Sequence, residues 1–138
     1  MAAAAAYGRQ SDPYDEAIEA LQILRGKCEN LLIEDMSSFE LEFGDTRDAL
    51  DRYRSTLAPS DQIMRALTAA MMRFTTQAQS LIAYFHRHDE SSRASSADGQ
   101  RYLEGFRDFQ LATFEEISRL QTFLLTLHTL PQEPFQHP

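Results

Sequence analysis

Between Ser60 and His86 the apolar residues Met64, Leu67, Met71, Phe74, Ala78, Leu81 and Phe85 recur at an unbroken 3,4,3,4 spacing. That spacing places them on one face of an α-helix. Only Arg65 and Arg73 carry charge between Gln62 and Tyr84. A helix so poor in charge needs neighbours on more than one side. This segment therefore commits the chain to an all-α fold in which other helices surround it.

Three further helical segments are readable. Asp12-Pro13 opens the first: Asp caps free N–H groups, and Pro fits the first helical position, where its missing N–H has no partner anyway. Tyr14, Ala17, Leu21, Leu24, Cys28 and Leu31/Leu32 form its apolar face. Extending that helix would put Asp35 and Glu42 on the same face, a costly burial of carboxylates, so it is expected to end near Asp35. Ser37-Ser38-Phe39-Glu40 then reads as a capping box, flanked by Met36 and Leu41 as a hydrophobic staple. Phe39, Phe43, Thr46, Leu50, Tyr53 and Leu57 continue the second face, with Arg47–Asp51 and Asp48–Arg52 as exposed pairs at helical spacing. Gly44-Asp45 is a rival break, and a single kinked helix from Pro13 to Leu57 is the alternative. Ala58-Pro59-Ser60-Asp61 reads as a turn and cap. The polar, Ser-rich run from His86 to Gly99 reads as a long connection. The last helix is expected from about Gln100, with Leu103, Phe106, Phe109, Thr113, Ile117, Leu120, Leu124 and Leu127 inward, and Pro131 stopping it.

The expectation is an antiparallel bundle of about four helices over residues 12–130, or three long helices with a kinked first one. Residues 1–11 read as a frayed start, and residues 131–138 as a Pro-containing tail. Leu67, Met71, Phe74, Leu81, Phe106 and Ile117 are the expected core.

Charge separates the classes of function. The net charge is −8, which opposes nucleic acid or an anionic membrane as a partner. Asp12 to Asp51 holds twelve acidic residues against Arg25, Lys27 and Arg47, whereas nine acidic and nine arginine residues follow. The imbalance thus sits in the first third. Cys28 is the one cysteine, so no intramolecular disulfide forms. Ala2 to Ala6 lacks the basic flank and apolar length of a secretory signal, and no run reaches the length of a membrane span. A cytoplasmic protein is expected.

The motifs of catalysis and cofactor binding do not assemble. A di-metal bundle needs Glu-x-x-His pairs, and the chain has none. His86-Arg87-His88 with Asp89 and Glu90 falls where a helix gives way to a loop. A solvated helix end, with His favoured by the negative dipole, accounts for it. His128 reads as a packed or partly exposed residue. Cys28, on an apolar face among acidic neighbours, has its pKa driven away from reactivity. No Gly-rich phosphate loop, nucleophile elbow or Cys-x-x-Cys pair is present. The expectation is no enzyme, no catalytic residue, no metal and no cofactor.

What remains is surface. Asp12, Glu16, Glu19 and Glu34 lie roughly opposite the first apolar stripe, and Asp48 and Asp51 do so on the second segment. Ile23, Ile33, Met72, Leu111 and Leu125 are apolar residues off their stripes, which points to a second buried surface. These eleven residues are the candidate partner-binding set. The function read from them is a non-catalytic helical interaction module, an adaptor or subunit of a larger assembly. It would bind another protein with a basic surface or form a homo-oligomer. An acidic inhibitor or immunity-type protein that blocks a basic site is the alternative.

Overall fold

The computed structural model describes residues 12–58, 61–87 and 96–129. Among these residues four α-helices form: α1 (Pro13–Glu29), α2 (Met36–Arg54), α3 (Gln62–Arg87) and α4 (Ser96–Thr129), with a 3₁₀ turn at Ile33–Asp35 before α2. No strand occurs among the described residues. Adjacent packing runs α1–α2, α2–α3, α3–α4 and α4–α1, which closes a ring and leaves α1 diagonal to α3. Cross-contacts fix the antiparallel sense. Tyr14 at the start of α1 stacks edge-on with Tyr53 at the end of α2. Its hydroxyl donates to the Leu124 carbonyl near the end of α4 at 2.8 Å. Tyr84 near the end of α3 lies parallel to Tyr102 near the start of α4, ring centroids 5.3 Å apart. The expected antiparallel four-helix bundle is the fold.

The α1 start matches its sequence signal: Asp12 Oδ1 accepts from the Tyr14 N–H at 3.0 Å, with Pro13 in the first turn. Its end does not. α1 stops at Glu29, about a turn and a half before Asp35, because Gln110 of α4 donates to the carbonyls of both Cys28 and Glu29 at 2.9 Å. Those carbonyls lack intrahelical partners at a helix end, so a buried side chain from α4 caps α1. The chain then goes extended at Leu32. Leu31 is buried and Ile33 packs against the core, while Leu32 faces out. The capping box does not form: the residue before α2 is Asp35, with no side-chain cap bond. Ser38 instead accepts from Lys27 Nζ at 3.0 Å. The staple fails as well, since Met36 is fully buried and Leu41 is 74% exposed. Gly44-Asp45 passes through α2 unbroken, so the break before Ser37 is the real one.

At the next turn, Asp61 Oδ1 caps the Ile63 N–H of α3 at 2.9 Å. α4 begins at Ser96, so Gly99 lies inside the helix and the connection is shorter than expected. Residues 88–95, with His88, Asp89 and Glu90, lie outside the described residues, as do residues 1–11 and the tail. At 34 residues, α4 is about 51 Å long.

All six expected core residues are buried. One stripe position is corrected: Leu103 is exposed and Tyr102 is buried in its place. Counting back from Phe106, both offsets are helical neighbours; the stacking of Tyr102 on Tyr84 selects one. Gly105 makes room for that stack. A Cβ there would meet the Tyr84 hydroxyl oxygen, which itself donates to the Tyr102 carbonyl at 3.1 Å. Gly105→Ala should therefore destabilise the bundle by about 1–3 kcal/mol through displaced packing. Gly44→Ala has nothing within 4 Å of its new methyl and should stabilise by about 0.5–1 kcal/mol through helix propensity. Urea denaturation of the two variants checks the opposite signs.

Candidate functional site

The polar groups of the interior are committed to structure. Thr46 Oγ1 donates to the Glu42 carbonyl at 2.7 Å, and Thr113 Oγ1 to the Phe109 carbonyl at 2.7 Å. Cys28 Sγ lies 3.6 Å from the Gln110 carbonyl, and burial pushes its thiol up to about 12. Among the described residues no buried side-chain nitrogen or oxygen lacks a partner. Nor is any group of three or more His, Cys, Asp or Glu arranged to hold a metal ion. His86 is more than a solvated helix end: its Nε2 lies 2.8 Å from Glu40 Oε2 and ties α3 to α2. His128 and His137 lie outside the described side chains.

The surface is where the eleven candidate residues sort themselves. α1 and α2 are neighbours, and their outward stripes are Asp12, Asp15, Glu19 and Ile23 on α1 and Leu41, Asp45 and Asp48 on α2, all exposed. Ile23 is 44% exposed. Asp12 serves here as the α1 cap, and Glu16, at the α1–α2 seam, pairs with Arg52 at 3.4 Å. That pair corrects the expected Asp48–Arg52 bridge: Arg52 reaches the neighbouring helix, and Asp48 has no ion pair among the described residues. Glu19 and Asp15 have none either. Glu34 is exposed on the 3₁₀ turn at the far end of α1. Ile33 leaves the set, because it packs on the core.

Two other surfaces take the rest. Asp51 pairs with Arg54 at 3.0 Å, not with Arg47, and both line a groove between α2 and α3 on which Met72 stands. Arg47 lies over the Phe43 ring, 5.4 Å from its centroid. Leu111 and Leu125 are exposed on α4. Leu111 flanks Leu32 and Arg107 in a shallow depression beside the α1 end. The sequence reading missed Leu32, Leu41 and Leu103 as exposed apolar residues, since helical spacing alone allowed each a place on or beside a stripe. Among the described residues no helix is long and apolar enough to cross a membrane. Comparison with family models, with curated proteins and with solved structures finds no match for the chain.

Proposed function

We propose that this chain is a non-catalytic, cytoplasmic helical interaction module, an adaptor or subunit of a larger assembly, and that the outward face of α1 and α2 docks a basic protein surface. The observation that carries the reading is a pair of exposed apolar side chains, Ile23 and Leu41, on the same outward stripes as Asp15, Glu19 and Asp48, which have no ion pair among the described residues. A solvated coat needs no apolar residues in line with its charges. A docking surface combines apolar anchors with charges that steer the encounter. The commitment of Gln110, Thr113, Thr46 and Cys28 to backbone carbonyls supports a structural interior over a chemical one.

The same acidic face favours a second reading, an inhibitor that covers a basic active or nucleic-acid-binding site. The identity of the bound protein separates the two. The test is partner binding by the variant Asp15→Lys/Glu19→Lys/Asp48→Lys. Asp12 and Glu16 are left intact because they cap and bridge α1. Wild-type protein should retain a stoichiometric partner from its native source that the folded variant loses. Equal retention by both would overturn the reading.

A further inference from the structure

The four seams of the bundle differ. α2 and α3 pack least closely of the adjacent pairs, and the groove between them encloses about 310 Å³. Met71 and Met72 form its apolar lining, with Arg47 and Arg54 on the α2 wall and Thr68 and Thr75 on α3. Met71 is buried, whereas Met72 is 64% exposed. Asp51 neutralises Arg54, whereas Arg47, which lies over the Phe43 ring, has no ion pair among the described residues. α3 adds Arg65, one heptad before Met72 and so on the same helical face, and has no carboxylate along its whole length. In a chain of net charge −8, this is the side on which positive charge surrounds exposed apolar atoms. Methionine side chains adapt to an incoming apolar residue.

The complement lies on the same molecule. The outward stripe of α1 spaces Asp15, Glu19 and Ile23 four residues apart, one helical face with an apolar side chain at one end and two carboxylates preceding it. We infer that α1 of one copy docks its outward face in the α2/α3 groove of a second copy, Ile23 against Met72 and the carboxylates toward Arg47 and Arg65. This is the helix-in-groove mode of recognition. The inference rests on the reading of the α1 face as a docking surface. It adds the surface that receives it.

The topology dictates the form of the assembly. α1 is diagonal to α3 in the ring, so the donor face and the acceptor groove point in different directions. Two copies cannot satisfy both contacts on each other. The contact is heterologous and builds rings or open chains instead of a closed two-fold dimer. Because the rim is charged and exposed, the association is salt-sensitive.

Sedimentation velocity on the full chain tests this with two variants whose changes are confined to exposed residues. Glu19→Lys/Ile23→Asp removes the donor face; Arg47→Glu/Met72→Glu removes the groove. Wild-type protein should sediment faster with rising concentration in low salt and revert to monomer at about 0.5 M salt. Each variant alone should stay monomeric. Mixed, they should form a 1:1 complex and nothing larger, because one intact α1 face meets one intact groove. Circular dichroism melts establish that both variants are folded. A wild-type chain that stays monomeric throughout, association surviving in either variant, or a mixture that stays monomeric would each overturn the inference. A monomeric wild-type chain that still loses a foreign partner on reversal of Asp15, Glu19 and Asp48 would leave the proposed function standing and this inference refuted.

Discussion

Phe74→Ala should destabilise the bundle by about 3–5 kcal/mol, the range for deleting a buried phenyl ring. Phe74 has no exposed surface and stands on α3 at the middle of the apolar stripe. Its ring meets Phe43 of α2 edge-on, centroids 5.4 Å apart, so its loss also removes a ring–ring contact worth about 0.5–1.5 kcal/mol. The α2–α3 seam is the least closely packed, and the Phe74–Phe43 contact joins it together with the Glu40–His86 pair. Urea denaturation at equilibrium measures the effect. Met72→Ala, two residues earlier on the exposed side, is the control and should fall within about 0.5 kcal/mol of wild type. A Phe74→Ala loss below about 1 kcal/mol would mean that the core does not depend on this stripe.

The second large effect is chemical. The Cys28 thiol is fully buried, and burial pushes its pKa up to about 12 from the ordinary 9.0. At mildly alkaline pH its thiolate is then about a thousandfold scarcer than in the unfolded chain, and the thiolate is the nucleophile. Burial adds a steric barrier. Alkylation by iodoacetamide should therefore proceed only through opening of the bundle, at least about a thousandfold slower in native protein than in denaturant. Phe74→Ala should accelerate it about tenfold for every 1.4 kcal/mol of stability lost, because the open population rises by that factor. Native labelling within about tenfold of the denatured rate would contradict the burial of Cys28. The linkage has a defined sign. As pH rises, the unfolded thiol ionises before the buried one, so the unfolded state binds fewer protons and stability falls. Below that range the thiol is neutral in both states and contributes no pH dependence.

The helices were legible because their apolar stripes are long and regular, and α3, with the least charge, was the clearest. The capping of α1 by Asp12 and of α3 by Asp61 was legible because those signals are local. The end of α1 was not, since Gln110, which satisfies its last carbonyls, lies 81 residues beyond Glu29. Tyr102 and Leu103 compete for one inward position, and only the neighbouring Tyr84 and the space at Gly105 decide between them. The exposed ion pairs were misassigned for a related reason. Spacings of three and four are both helical neighbours, so Asp51 chose Arg54 over Arg47, and Arg52 chose Glu16 on another helix. Those choices matter for the surface. Among the described residues they leave Asp48 and Arg47 without ion pairs on adjoining faces of α2, one turned to the acidic stripe and the other to the groove. Composition along the chain located the acidic face; the groove exists only once α2 lies beside α3.

The most direct measurement of the central claim is the association rate of the captured partner with the Asp15→Lys/Glu19→Lys/Asp48→Lys variant at low and high salt. These three side chains are exposed, so the melting temperature should stay within a few degrees of wild type. If the acidic face steers docking, association at low salt should slow by at least about tenfold and its salt dependence should flatten, because steering acts through long-range attraction that salt screens. Association of the folded variant at the wild-type rate in low salt would contradict the claim and reduce the acidic face to a solubilising coat.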